Sequence, residues 1–127
     1  MAKSIFVPIS LGELVDKITI LEIKTKKLKG NALANAENEL RELNAVLEAS
    51  EINVDPATLD ELRLINQNLW QIEDDIRDQE RKQCFDEYFI KLARSVYKQN
   101  DRRAAIKRLI NISNNSELIE EKSYKSY

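Results

Sequence analysis

Charged side chains on the apolar faces of helices are the residues of this sequence best placed to do chemistry. Glu22 falls inside the apolar arc that Leu14, Ile18 and Leu21 make at helical spacing. A carboxylate in that position has to be paired, hydrogen-bonded or next to a cavity, because burying it alone is unfavourable. Two interpretations stay open for Glu22: a ligand-facing acid in a pocket between helices, or the partner of an Arg or Lys on a neighbouring helix.

A polar seam runs beside the apolar stripe of Leu62, Leu69 and Ile76. Glu73 and Arg77 lie in this seam at (i, i+4) spacing, so they are neighbours on one helix face. The other members of the seam are Asn66, Glu80 and Cys84. Ligand sites of helical bundles are often built from such polar groups in the core. The alternative interpretation is that the helix leaves the core at this point.

Basic residues form a stripe at helical spacing farther along the chain, through Lys91, Arg94, Lys98 and Arg102. Such a stripe can bind a phosphate or a phosphosugar through the forked guanidinium groups of arginine. The alternative is a solvated face that lies beside acidic helices. An enzyme acting on an anionic metabolite would combine Glu22 with residues of the polar seam and of the basic stripe. Those candidates are Glu22, Glu73, Arg77, Arg94 and Arg102.

The residue types that are missing exclude several chemistries. The chain has no histidine and a single cysteine, Cys84. It therefore has no Ser-His or Cys-His catalytic pair, no histidine-bound metal, no cysteine zinc cluster and no internal disulfide. The carboxylate pairs Asp75/Asp78 and Glu117/Glu120 depart from the facing ExxE and ExxD pairs of the all-helical nucleotide pyrophosphohydrolases. We predict no bound metal and no cofactor, and an enzyme is left open without being favoured.

Apolar residues three and four apart recur in three segments, which is the heptad rhythm of helices packed side by side in a coiled coil. The segments are Leu14 to Leu28, Leu33 to Leu47 and Leu62 to Ile76. This spacing predicts an all-α bundle of four or five helices, preceded by a short extended arm over residues 1–9. We expect the whole chain, 1–127, to form one helical domain.

Capping and breaker residues set the predicted ends of the first two helices. Ser10 and Glu13 fit a capping box at the start of helix one. We expect that helix to run to about Lys29 and to stop at Gly30, since glycine commonly ends helices. Helix two is predicted over roughly 32–49.

Similar signals divide the second half of the chain. Asp55-Pro56 is a typical helix start, with proline in the first turn of helix three. Two further helices, 85–98 and 102–112, are predicted on either side of a break at Asn100-Asp101. The tail, 117–127, is expected to hold at most one helical turn.

Charge and hydropathy restrict the location and the partners. A pI near 5.3 and an acidic middle segment make nucleic-acid binding the weakest interpretation. No apolar run approaches the roughly 20 residues of a membrane helix, and no signal-peptide core is present, so we expect a cytoplasmic protein. Helix one has a second apolar edge at Ile20 and Ile23. A helix apolar on two sides is central in its fold or shared between subunits, and we predict a homodimer.

The two ends of the chain carry the most specific sequence motifs. VPISLGELVDKITILEIK, over 7–24, and NSELIEEKSY, over 115–124, resemble the start and end of a family of short uncharacterised proteins from bacteria and phages. The family pattern is V-P-x-S-x-G-E-x-x-D-K-I-T-I-L at the start and E-E-K-S-Y at the end. The matching residues are Ser10, Glu13, Asp16, Lys17 and Thr19 at one end, and Glu120, Glu121, Lys122 and Tyr124 at the other.

The resemblance implies an all-helical domain of unknown function, sometimes encoded near surface-glycan genes. It also suggests that the two ends act together. We expect the tail to pack across the start of helix one, through Lys122 with Glu13 or Asp16. The leading hypothesis is a small cytoplasmic binding or assembly module with a protein partner or an anionic small molecule as its ligand. An accessory role in surface-glycan or nucleotide-sugar metabolism follows from the resemblance only. The competing hypothesis is the small enzyme described above.

Overall fold

A computed structural model describes residues 3–127, which contain four α-helices joined by short connections. The helices are α1 (Leu11–Lys27), α2 (Gly30–Ala49), α3 (Pro56–Arg81) and α4 (Glu87–Ser113). The described residues before Ser10 and those over 117–127 contain neither helix nor strand. The all-α bundle is thus confirmed, with the lower of the two predicted helix numbers. Residues 1 and 2 of the predicted arm lie outside the described part of the chain.

Side-chain caps explain where three of the helices begin. Ser10 accepts a hydrogen bond from the backbone N–H of Glu13, and Asp55 accepts one from the N–H of Thr58. Asp86 caps α4 in the same way, so the short loop before it separates α3 from α4. Each cap satisfies an amide that has no partner inside its own helix. The caps at Ser10 and Asp55 were predicted, whereas the one at Asp86 was not.

The turn between α1 and α2 differs from the prediction. α1 ends at Lys27 rather than near Lys29, and Gly30 is the first residue of α2 instead of the stop of α1. The φ angle of Gly30 is +63°, in the left-handed region that glycine adopts without a steric penalty. The glycine therefore turns the chain into α2 instead of ending α1.

The predicted break at Asn100-Asp101 is wrong, because α4 continues through it. Leu92 is buried before this dipeptide, and Ile106 and Ile110 are buried after it. A continuous helix keeps all three on the core side. Burial of such side chains contributes about 1.5–3 kcal/mol each, whereas Asn and Asp lower helix propensity by only ~0.7 kcal/mol each. Tertiary packing therefore decides the conformation here.

Three helices form the core and the fourth is attached to its outside. α1, α3 and α4 contact one another, whereas α2 contacts α1 alone among the described helices. The core cluster consists of Leu11, Val15, Leu62, Ile65, Ile106 and Ile110. Leu47, near the end of α2, packs against the cluster that includes Leu11 at the start of α1, so these two helices run antiparallel. α1 is thus central, and of its second apolar edge Ile23 is buried, whereas Ile20 is half-buried and lines a cavity between α1, α3 and α4.

Candidate functional site

The start of α1 lies directly against α4, and a glycine makes this possible. A Cβ atom on Gly12 would lie 2.5 Å from the carbonyl oxygen of Lys107. Without that atom, the backbone N–H of Gly12 donates to Oδ1 of Asn111 at 2.6 Å. The N–H of Leu11 donates to Oγ of Ser116 at 3.3 Å. Residues at the end of α4 therefore supply partners for the first amides of α1, which would otherwise be unsatisfied.

Asp16 is the most deeply buried charged side chain at this junction, with 0% of its surface exposed. Its carboxylate accepts a two-pronged pair of hydrogen bonds from Nε and Nη2 of Arg103, the first at 2.9 Å. Nδ2 of Asn66 donates to the same carboxylate at 2.9 Å and to Oγ1 of Thr19 at 2.7 Å. One residue from each core helix thus meets at this carboxylate, which is the pairing that a buried charge requires.

Both partners of this pair are held in their charged forms. Burial acts to raise the pKa of Asp16, but the hydrogen bonds from Arg103 and Asn66, with the positive charges of Arg103 and Lys107, outweigh it and leave the pKa below its usual value. The hydrogen bond to Asp16 in turn raises the pKa of Arg103. The result is a buried salt bridge that specifies how α1, α3 and α4 align.

Lys107 joins the two terminal motifs. Its Nζ atom lies 2.7 Å from Glu13 Oε2, 3.7 Å from Asp16 Oδ2 and 3.7 Å from Glu120 Oε2. Two of these carboxylates belong to the starting motif and the third to the ending motif. The predicted contact of Lys122 with Glu13 or Asp16 is wrong, because Lys122 has a different partner in the structure. Lys122 pairs with Glu120 at 2.9 Å, on the outer side, because the buried Lys107 of α4 stands between the tail and α1.

The tail lies along α4 and is attached at several points. Arg108 pairs with Glu121 at 2.8 Å. The rings of Tyr97 and Tyr127 meet edge to face at 5.1 Å between centroids. The hydrogen bond from Lys122 lowers the pKa of Glu120, and that same bond raises the pKa of Lys122. Since most of these groups are exposed, each contact contributes little, and the tail is held by their number.

A groove of about 610 Å³ lies between α4 and this tail, and we call it the tail groove. Its charged and aromatic lining is formed by Arg103, Lys107, Lys122, Lys125, Asp101, Glu120, Tyr97, Tyr124 and Tyr127. The lining thus contains four cations and two carboxylates. The volume is within the range of about 300–1,000 Å³ that small-molecule sites occupy. The positive excess favours an anion, and the tyrosine rings offer apolar faces beside it.

Arg103 is the best-positioned cation of the tail groove. Asp16 holds its Nε and Nη2 atoms from behind, which fixes the guanidinium plane. Its Nη1 atom donates to no protein group within residues 3–127, and Arg103 lines both the tail groove and the cavity beside Glu73 and Arg77. An arginine fixed in this way loses little side-chain entropy when it binds a phosphate or carboxylate.

The structure separates the five ligand-binding candidates into two groups. Oε1 of the half-buried Glu22 lies 3.3 Å from Nε of Arg63, so this acid is paired with a neighbouring helix. Glu73 and Arg77 form an (i, i+4) pair at 2.5 Å along a cavity of about 460 Å³. Trp70 lines both that cavity and the smaller one beside Glu22.

The other two candidates lie on the outer side of α4, away from the first three. Arg94 is exposed, and Nη2 of Arg102 is 4.0 Å from Glu61 of α3. They do not combine with Glu22, Glu73 and Arg77 into one site. The contact of Arg102 with Glu61 is consistent with a solvated face beside an acidic helix, which was one of the two interpretations.

Four of the remaining motif and carboxylate residues have structural partners. Lys17 pairs with Glu39 of α2 at 3.6 Å, and Tyr124 lies under Nζ of Lys122 at 5.8 Å from the ring centroid. Asp75 accepts from Gln71, and Asp78 accepts from Arg81. Within residues 3–127, no three acidic or thiol side chains converge in a way that could hold a metal ion.

From the sequence, Arg103 and Lys107 are predicted only to continue the positive charge of the basic stripe, and their pairing with Asp16 and Glu13 was not predicted. A usable signal was present, because Arg103, Ile106, Lys107 and Ile110 share one face of a continuous α4. All four residues also fall within the predicted helix 102–112, so their common face could be read from the sequence, but Asp16 as the partner of that face could not.

Comparison with known proteins identifies a family for this chain, but no individual curated protein or solved structure that is similar to it. A family model described as a family of unknown function, DUF6165, matches residues 5–127. No curated protein and no solved structure matches the chain. Within residues 3–127, every helix is too short or too polar to cross a membrane.

Proposed function

We propose that this chain, which belongs to the DUF6165 family of unknown function, is a binding module for a small anionic ligand held in the tail groove. The observation that carries the proposal is Arg103, which Asp16 anchors through Nε and Nη2, whose Nη1 atom has no protein partner within residues 3–127, and which lines a groove of about 610 Å³. A preorganised guanidinium at the base of a concave site is a typical arrangement for recognising a phosphate or carboxylate.

The distribution of charge around the groove supports an anion as the ligand. Lys107 and Lys122 are already paired with Glu13 and Glu120. Lys125 has no ion-pair partner within residues 3–127, so it supplies positive charge that is not already balanced, and Arg103, whose charge Asp16 balances, supplies the hydrogen-bond donors of Nη1. In the proposed complex these two cations contact the anionic group of the ligand. The tyrosine rings pack against the ring system that carries this group.

A nucleotide sugar has this chemistry, because it combines a diphosphate with planar and sugar rings. The proposed accessory role in surface-glycan or nucleotide-sugar metabolism rests on the sequence resemblance, and the groove supports only the anionic part of it. We propose that the module acts in the cytoplasm, where such metabolites are made and used.

Binding is favoured over catalysis because the carboxylates near the groove are poor proton acceptors. Asp16 has a pKa below its usual value and both of its oxygens are occupied by Arg103. The pKa of Glu120 is also lowered, by the hydrogen bond from Lys122. A general base works best with a pKa near the operating pH, and neither group is shifted in that direction.

Isothermal titration of the full chain with pyrophosphate and with UDP-glucose tests the proposal. Lys125→Gln removes one groove cation without removing a structural partner, and Lys91→Gln is a matched charge loss on the exposed side of α4. We expect Lys125→Gln to weaken binding about tenfold, as a charge-assisted hydrogen bond of roughly 1.5 kcal/mol implies. Lys91→Gln should bind like the wild type. No heat with either probe, or equal losses in both variants, would overturn the proposal.

We also propose that the module forms a homodimer through its N-terminal arm. The supporting observation is that Ile5 and Phe6 are 89% and 91% exposed, although both are strongly apolar. Sedimentation of the wild type and of Phe6→Ser measures this directly. The wild type should sediment as a dimer and the variant as a monomer, whereas a monomeric wild type would contradict the proposal.

A further inference from the structure

The tryptophan of this chain lies in a crevice that is separate from the tail groove. Trp70 is half-buried and lines a cavity of about 300 Å³ between α1 and α3. The polar lining of this cavity includes Glu22, Lys26, Lys27, Arg63 and Gln67, and we call it the Trp70 crevice. It shares no lining residue with the tail groove, so the two sites can be tested independently.

Positive charge in the Trp70 crevice exceeds negative charge. Arg63 already contacts two carboxylates, Glu22 at 3.3 Å and Asp60 at 2.9 Å. Lys26 and Lys27 have no ion-pair partner within residues 3–127. The carbonyl end of α1 stabilises lysines in the last turn, which accounts for their presence on that helix. It does not account for their position at the rim of a concave cavity beside an indole ring.

The combination of an indole ring with unpaired lysines indicates the class of ligand. An indole face stacks with planar rings, and such stacking tolerates different bases. The ammonium groups of Lys26 and Lys27 would attract a phosphate attached to the ring. Gln67 adds an amide, whereas the amide nitrogen of Gln71 already donates to Asp75. The volume is at the small end of the range for ligand sites, so a single nucleotide suits it better than a larger cofactor.

We propose that the Trp70 crevice binds a planar aromatic ring that carries a phosphate, as a nucleoside monophosphate does. The indole ring of Trp70 stacks on the base, and Lys26 and Lys27 hold the phosphate. This site does not depend on the tail groove, and either proposal can fail without the other.

Fluorescence of the protein reports on Trp70, the single tryptophan of the chain, which lines this crevice and the neighbouring 460 Å³ cavity, so the lysine variants below assign a response to the crevice. The test is a titration of the full chain with AMP, excited at the red edge of the indole band where adenine does not absorb. Adenosine and inorganic phosphate serve as the two partial ligands. We expect saturable quenching by AMP, and binding at least about tenfold weaker for each partial ligand, since each loses one of the two contacts.

Two variants separate this site from its surroundings. The double change Lys26→Gln and Lys27→Gln should weaken AMP binding about tenfold or more. Lys29→Gln, an exposed lysine outside the crevice lining, should leave it unchanged, as should Lys125→Gln in the tail groove. Circular dichroism verifies that each variant is folded. The proposal is overturned if AMP gives no saturable quenching, if adenosine binds as well as AMP, or if the lysine pair does not matter.

Discussion

The two sides of α1 are held by different physical interactions. Toward α2, its buried residues are the apolar Leu14, Ile18 and Leu21, and the ion pair of Lys17 with Glu39 lies exposed at the edge. Toward α3 and α4, the buried set includes Asp16 and its hydrogen-bonded partners. Apolar contacts depend mainly on area and tolerate small shifts, whereas a buried carboxylate loses much of its stabilisation if its donors move.

The difference indicates which interface specifies the fold and which adds stability to it. We expect the contact of α2 with α1 to tolerate repacking at a modest cost, because apolar side chains of similar volume can replace one another. The register of α4 on α1 is fixed by Arg103, Lys107 and the absence of a side chain at Gly12. The following predictions test this contrast.

Replacing the buried carboxylate should have the largest effect. We expect Asp16→Ala to lower the free energy of unfolding by about 3 kcal/mol or more, because Arg103 and Asn66 then lose their shared acceptor inside the core. Urea denaturation measures the loss. Asp78→Ala, which removes an exposed pair with Arg81, is the matched control and should change stability by less than ~1 kcal/mol. Similar losses in both variants would contradict the assigned role of Asp16.

The two glycines of the chain provide a second contrast. Gly12→Ala should lower stability by about 2 kcal/mol, because its new Cβ meets the backbone oxygen of Lys107 at 2.5 Å and α4 has to move away. Gly30→Ala meets no atom and loses only about 1 kcal/mol, from its left-handed φ angle of +63°. Thermal unfolding compares the two. Equal losses would show that the contact between α1 and α4 can adjust.

Truncating a leucine of α2 tests the apolar side of α1. Leu40 is half-buried, and we expect Leu40→Ala to lower stability by about 1.5 kcal/mol, below the range for fully buried leucines. The slope of unfolding against urea should stay unchanged, because the core of α1, α3 and α4 still unfolds as one unit. A loss as large as that of Asp16→Ala would remove the distinction between the two sides.

Removing residues 117–127 should have a smaller effect. The deletion eliminates the contacts of Lys107 with Glu120, of Arg108 with Glu121 and of Tyr97 with Tyr127. These are mostly exposed, so we expect a loss of about 1 kcal/mol and a clearly lower melting temperature. The Asp16 network remains in the truncated chain. An unchanged melting temperature would show that the tail is not attached in solution.

Acid should weaken the Asp16 side of α1 selectively. Because the folded-state pKa of Asp16 is lowered, its contribution to stability is fully present above the unfolded pKa of about 3.9 and is lost as the pH falls through the folded value. Stability should therefore be nearly flat from neutral pH to about pH 5 and decrease below about pH 4. Asp16→Asn should show a smaller decrease than the wild type. Parallel curves for the two proteins would contradict this assignment.

The sequence predicted the helices better than the site, and the reason is physical. Helical spacing and caps such as Ser10 and Asp55 are local signals, and the structure confirms the helices and the two caps that they predict. The break predicted at Asn100-Asp101 was also based on a local signal, which the burial of Leu92, Ile106 and Ile110 overrides. The network around Asp16 depends on partners 50 and 87 residues away in the chain, and spacing along one helix does not identify them.

The hydrogen bonds that complete the start of α1 also determine when the fold can be finished during synthesis. Leu11 and Gly12 find their partners 105 and 99 residues later, in Ser116 and Asn111. The hairpin of α1 and α2 can form on the ribosome from nearby leucines. Asp16 of this hairpin stays unpaired until α4 and the turn after it have been synthesised. Contacts between residues so far apart in the sequence form slowly. The first turn of α1 is therefore open to proteases and chaperones until Asn111 and Ser116 have been synthesised, and its protection then comes in one step.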